Sequence, residues 1–90
     1  MPTPIEAVAD FYGYRTTDIT GVRRTERLAR ARHVAMWLMR RAGQTYPQIG
    51  RRLNRDHSTV WTGVRRIEAE MDFTPMLAAE LEALIGAVAA

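Results

Sequence analysis

Thr45-Tyr46-Pro47-Gln48-Ile49-Gly50-Arg51-Arg52-Leu53-Asn54-Arg55-Asp56-His57-Ser58-Thr59-Val60 is the stretch on which the fold turns. Thr45 with Gln48 three residues on makes a capping box, and Pro47 falls early in the first turn of the helix it opens. Ile49 and Leu53 follow at helical spacing, and the pattern breaks at Asn54-Arg55-Asp56. Asp56 can cap a second helix whose apolar positions Val60, Val64, Ile67 and Met71 recur at i, i+4, i+7 and i+11. Two short helices joined by about three residues form a helix-turn-helix. That arrangement needs a small residue where the helices cross, which Gly50 supplies. It also needs a turn residue that tolerates positive φ, which Asn54 does better than most non-glycines. Arg55 departs from the pattern, because many such motifs place an apolar residue in the turn.

Working outward, the signals remain helical. Thr3-Pro4-Ile5-Glu6 is a second capping box, Ile5, Val8, Ala9 and Tyr12 recur at helical spacing, and Gly13 ends the segment. Thr16 to Ile19 is expected to add one turn. Gly21 to Arg27 has no apolar face and is expected to be a charged loop. A helical pattern resumes at Leu28 with Ala31, Ala35, Leu38, Met39 and Ala42, and stops at Gly43. Thr74-Pro75 opens a last helix carrying Leu77, Leu81, Leu84, Ile85 and Val88, with Glu80 and Glu82 expected outside. The expected fold is all-α, a small helical bundle containing the helix-turn-helix.

Ninety residues make one domain, and a hydrophobic content of 47% suits a folded one. Net charge is only +3, but residues 15–66 hold all thirteen arginines against three acids, while residues 67–90 hold five acids and no base. A basic middle is the electrostatic footprint of a polyanionic partner. The chain has no lysine, so every fixed cation is a planar guanidinium suited to phosphates and guanine edges. Without lysine there is no P-loop and no Schiff base, and without cysteine no disulfide or thiol chemistry. His33 and His57 are the only histidines. No metal-ligand spacing and no converging triad is present, so neither catalytic residue, cofactor nor metal is expected. No signal peptide and no membrane-spanning run is seen, which makes the cytoplasm, on the nucleoid, the expected location.

If Val60, Val64 and Ile67 point inward, His57, Trp61 and Arg65 lie outward, with Arg55, Asp56 and Ser58 at the helix N-terminus. That end meets base edges in helix-turn-helix proteins. The same residues also admit a plainer reading, with Asp56 only a cap, Ser58 only a first-turn residue and His57 only solvated. Trp61 is open between an outer position and an edge-of-core position against another helix.

The run from Tyr46 to Val60, with Val64-Arg65-Arg66-Ile67-Glu68 after it, resembles the C-terminal DNA-binding domain of the bacterial replication initiator DnaA, a Trp-repressor-like fold. Arg55-Asp56-His57-Ser58-Thr59-Val60 is its most specific part. Val8-Ala9-Asp10-Phe11-Tyr12 and Arg32-His33-Val34-Ala35-Met36 also look like that domain, so the resemblance covers roughly residues 5–72. It implies that Arg24 enters the minor groove with Arg23 beside it on the backbone. It implies that Arg55, Asp56, His57 and Ser58 meet bases in the major groove, and that Pro47 packs near thymine methyls. Backbone contacts are implied for Arg32, His33, Arg40, Thr59 and Arg65. The sequence departs from the family in a shorter turn before Arg55, a stretch between Met36 and Pro47 one residue short, Glu26 in the basic loop, and no loop proline near Ala31.

The expected domain is thus residues 1–72, with 73–90 a C-terminal helix packed on it or, on a second reading, a dimerisation or partner surface. The expected function is sequence-specific binding of double-stranded DNA of DnaA-box type, as a monomer, linked to replication initiation or its regulation and with a replication protein as a possible further partner. The alternative is a transcription regulator or transposase recognition module with a palindromic site.

Overall fold

The computed structural model describes residues 1–89; Ala90, the end of the expected C-terminal segment, lies outside them. Six helices follow in order: α1 (Pro4–Tyr12), α2 (Thr16–Thr20), α3 (Glu26–Arg41), α4 (Tyr46–Leu53), α5 (His57–Met71) and α6 (Pro75–Ala89). Among the described residues all regular structure is helical.

The caps set the boundaries. In α1 the Glu6 backbone N–H donates to Thr3 Oγ1 at 3.2 Å and the Thr3 N–H to Glu6 Oε1 at 2.9 Å. Thr45 and Gln48 repeat this at the start of α4, with bonds of 2.8 and 3.2 Å. Each box satisfies donors that a helix N-terminus otherwise leaves unpaired. Gly13 closes α1 in the left-handed conformation at φ 78°. The expected start of α3 at Leu28 is two residues late. Thr25 Oγ1 accepts the Leu28 N–H at 3.1 Å, so Glu26 and Arg27 already lie in the first turn. They bring no apolar residue to that turn, which is why periodicity alone misses it.

Helix α3 is the spine, packing on each of the other five helices. Leu28, Val34, Ala35, Met36 and Met39 are fully buried on it, and Val8, Ile19, Ile49, Leu53, Val60 and Ile67 close around them. Arg30 of α3 donates to both carboxylate oxygens of Glu70 on α5, an ion pair that clips the two longest-contacting helices together.

Helix α6 inserts Leu77, Leu81 and Leu84 into the same core, each no more than 1% exposed. Its packing partners are α1, α3 and α5. Glu82 is exposed as expected, but Glu80 is half-buried and lines one cleft with Tyr12 and Arg30. Burial pushes the Tyr12 phenol up to about 12, and the neighbouring Glu80 carboxylate adds to the shift.

Because the α6 leucines share the core with α1 and α3, Leu81→Ala should cost about 2–5 kcal/mol. Urea unfolding followed by circular dichroism should show one transition displaced to lower denaturant. A separate early transition would mean that α6 folds independently of the rest.

Candidate nucleic-acid interface

The basic loop is built on the carbonyl of Gly21. Helix α2 has only five residues, so its last carbonyls have no partner within the helix. Arg32, reaching up from α3, supplies one: its Nε donates to the Ile19 oxygen at 2.9 Å, and its Nη2 donates to Asp18 at 2.8 Å and Gly21 at 3.1 Å. Arg32 is 4% exposed and is the one buried charged side chain among the described residues. Burial and the nearby Arg55 lower its pKa from the ordinary guanidinium value. A planar fork bonded to three carbonyls is how a guanidinium survives this burial. A Cβ on Gly21 would lie 2.6 Å from the Thr17 oxygen, so the tight exit from α2 requires glycine.

The Gly21 oxygen also accepts from Arg55 Nη2 at 2.7 Å. Arg55 Nη1 donates to the oxygens of Leu53 and Asn54 at 3.0 and 3.1 Å. Arg55 therefore ties the turn between α4 and α5 to the base of the basic loop. From that base Val22, Arg23, Arg24 and Thr25 run out into solvent. Arg23 makes only a 3.9 Å contact with Asp18, and its side chain is 72% exposed.

The turn itself follows the sequence. Asn54 takes the left-handed conformation at φ 55°, ψ 46°. A Cβ on Gly50 would sit 2.5 Å from the Arg55 oxygen, so the second helix crosses the first there at backbone contact. Asp56 accepts the Ser58 N–H at 3.0 Å, and this bond holds its carboxyl below the usual carboxylate range. The same carboxylate lies 3.2 Å from His57 Nδ1. The cap thus orients the first turn of α5 while Asp56, His57, Ser58 and Thr59 stay exposed. Pro47, Arg51, Asn54, Asp56 and His57 line one shallow depression between α4 and this tip. Its chemistry is that of recognition: a carboxylate that accepts, an imidazole and a hydroxyl that do both, and guanidinium forks at the edge.

The expected site residues fall into two sets. Arg23, Arg24, Pro47, Asp56, His57, Ser58, Thr59, Arg40 and Arg65 are all exposed. Arg40 donates to the Gln44 oxygen at 3.0 Å and lies 4.7 Å from the Tyr46 ring centroid, which holds its head at the start of α4. In Arg32 and Arg55 the guanidiniums are bonded to carbonyls of this chain, because the short α2 and the turn leave those carbonyls otherwise unsatisfied. His33 is less exposed than the first set. It is half-buried against α5, where a Cβ on Gly63 would lie 2.8 Å from its Cδ2. Burial, with Arg66 and Arg32 nearby, holds its pKa below the ordinary value of 6.5, so it is a neutral packing group rather than a cation.

Sequence reasoning passed over Arg51 and Arg52. Both are exposed on α4, and Arg51 lines the depression beside His57. With Ile49, Gly50 and Leu53 assigned inward, the helical period already put both outside. Among the described residues no group of three or more His, Asp or Glu side chains is placed to hold a metal ion. No helix among them is long and apolar enough to cross a membrane.

Six helices presenting a capped helix-turn-helix beside an anchored arginine loop define a helix-turn-helix domain of the replication-initiator type. The profile of the family described as "Bacterial dnaA protein helix-turn-helix" matches residues 4–67, and the chain belongs to that family. It is 41% identical over 81 residues to the "Chromosomal replication initiator protein DnaA" of Caulobacter sp. (strain K31), covering 88% of this chain and 17% of that protein. The protein of the same name in Ruegeria sp. (strain TM1040) is 42% identical over 79 residues, 86% of this chain and 17% of the relative. That of Ruegeria pomeroyi is 48% identical over 63 residues, 68% of this chain and 14% of the relative. The chain therefore spans less than a fifth of the length of these relatives.

Two outcomes are expected from this geometry. Arg55→Met removes three charged-donor hydrogen bonds and should cost about 1.5–3 kcal/mol, since part of the loss is restored by water; thermal and urea unfolding would measure it. The second concerns pH. Because the folded His33 pKa lies below 6.5, the unfolded chain binds more protons in acid. Stability is then full above 6.5 and falls as pH drops through the folded value. Glu6 and Asp56 are lowered from ordinary carboxylate values and so lie on the acid side of this window. His33→Gln should flatten the slope of unfolding free energy between neutral pH and the carboxylate range; an unchanged slope would place its origin elsewhere.

Proposed function

We propose that this chain binds double-stranded DNA sequence-specifically, reading a DnaA box as a monomer, in the initiation of replication or its regulation. One observation carries the reading: the exposed Arg23-Arg24 loop and the exposed Asp56-His57-Ser58 tip are anchored to each other through one carbonyl, that of Gly21. A protein reading the minor and major grooves of one site at once needs two such elements at a fixed spacing.

In this reading Arg24 enters the minor groove, with Arg23 on an adjoining phosphate. His57, Ser58 and Asp56 address base edges in the major groove, and Pro47 gives a thymine methyl an apolar contact. Thr59, Arg40 and Arg65 take phosphates, which position the protein without specifying sequence. Arg32 and Arg55 act through the loop and turn they hold and are positioning residues. Family membership and the role that names the relatives, chromosomal replication initiation, support the same assignment. So does the basic middle of the chain, which would place it on the nucleoid in the cytoplasm. A dimer on a palindrome would need an apolar surface on α6, and the leucines that gave α6 that character are inside the core.

Fluorescence anisotropy with a box duplex and a scrambled duplex of equal composition tests the reading. The box should bind at least about tenfold more tightly, and both affinities should fall steeply with salt. Arg24→Ala and His57→Ala should each cost about 1–3 kcal/mol on the box and little on the scrambled duplex. Arg40→Ala should weaken both alike. Equal loss on both duplexes for His57→Ala would remove the tip from sequence recognition.

A further inference from the structure

Trp61 is the one indole on the outer face of α5, and it is 51% exposed. The edge-of-core position that its sequence left open is not where it lies. It stands one turn after His57 and one turn before Arg65, whose guanidinium carbon is 5.5 Å from the Trp61 ring centroid. Arg65 also reaches Glu68 Oε1 at 3.8 Å on the side away from Trp61, and its side chain stays 64% exposed. One side of the indole thus meets a cation, and about half of its surface remains available to a partner.

His57, Trp61 and Arg65 form a stripe whose ends are eight residue steps apart, which at a rise of about 1.5 Å per residue spans about 12 Å. A B-form major groove is about 12 Å wide. With His57 at the base edges, a helix entering by its N-terminus leaves Arg65 near the phosphates and Trp61 between, against the wall of the groove. The outer flank of this stripe is basic, with Arg66 exposed beside it, and suits a polyanion far better than a protein core. An exposed tryptophan inside a positive field is a costly surface to leave in water, and its burial against a duplex recovers apolar area.

We infer that Trp61 is part of the duplex-binding surface: its indole packs on the sugar and base-edge wall of the major groove and presents Arg65 to the adjoining phosphate. The inference rests on the duplex-binding reading above and goes beyond it, since it adds a large aromatic, salt-independent contact to an interface whose other apolar contact is that of Pro47.

The chain contains two tryptophans, Trp37 and Trp61. Trp37 is half-buried on α3, so Trp37→Phe leaves Trp61 as the only indole. Acrylamide quenching of that emission should be strong in the free protein and should drop when a box duplex is added to saturation, with saturation followed independently by anisotropy. Trp61→Ala should then bind about tenfold more weakly with an unchanged salt slope, whereas Trp61→Phe should keep most of the affinity. Arg65→Ala should lower the salt slope by about one. Duplex binding with Trp61 as open to acrylamide as before would overturn this inference and leave the duplex-binding reading standing. No duplex binding at low salt would overturn both. Protection of Trp61 without DNA, together with twice the monomer mass in sedimentation, would give the indole to a second copy and also overturn it.

Discussion

The carbonyl of Gly21 accepts from two guanidiniums that arrive from opposite directions, Arg32 from α3 and Arg55 from the turn before α5. Much of the presentation of this surface depends on that meeting point. Arg32 completes the end of a helix too short to complete itself, and so fixes where the basic loop leaves the bundle. Arg55 uses its other nitrogen on the turn carbonyls, and so fixes the turn relative to the loop. A lysine at either place would offer one compact ammonium, more strongly hydrated and unable to span carbonyls on a rigid fork. Burial, and after it charge repulsion from the Arg55 head, is the cost of the arrangement, and together they lower the pKa of Arg32. Six hydrogen bonds to carbonyl oxygens, three from each head, offset it.

The same observation changes how the arginine count is read. Thirteen arginines suggest a broad cationic surface, yet they divide by task. Arg30 is bonded to Glu70, Arg32 is inside, and Arg55 is held at the turn. Arg40 and Arg65 lie on aromatic rings, which restricts where their heads can reach. Arg23 and Arg24 keep the freedom that entry into a groove requires. A polyanion would therefore meet fewer cations than composition implies, and of those it meets Arg40 and Arg65 are aimed by the rings beneath them. Aimed cations favour a defined register over sliding attraction, because phosphate contacts fix orientation only when their donors are themselves fixed.

Legibility in the sequence tracked the range of the interaction. The capping boxes at Thr3 and Thr45, the close crossing at Gly50, the left-handed Asn54 and the Asp56 cap all act within a few residues, and each could be read from its neighbours. The start of α3 was missed by two residues because its first turn carries only Glu26 and Arg27 after Thr25, with no apolar position to set the period. Glu80 was put outside because a carboxylate on a helix normally is; its half-buried place depends on Tyr12 and Arg30, neither near it in sequence. The carbonyl bonds of Arg32 and Arg55 are not legible in sequence, because an arginine looks the same there whether its head meets a phosphate or a carbonyl. Their shared acceptor lies 11 and 34 residues away, and no local pattern announces it.

The presentation of α5 depends less on the turn than its position suggests. At Gly63 a Cβ would lie 2.5 Å from Met36 Sδ and 2.8 Å from His33 Cδ2, so α5 is seated directly on α3 in its middle. The Arg30–Glu70 pair holds the far end of the same two helices. A helix fixed at its centre and its C-terminal end has its axis determined before the turn is considered. The shorter turn that sets this sequence apart from its family then has only to deliver the chain from Leu53 to Asp56. Asn54 does so with one left-handed residue, and Arg55 locks the result to Gly21. The turn is a fitted connector between two helices already placed by α3. A side chain at position 63 would first have to displace the Met36 thioether and the His33 ring, the two groups on which the middle of α5 rests.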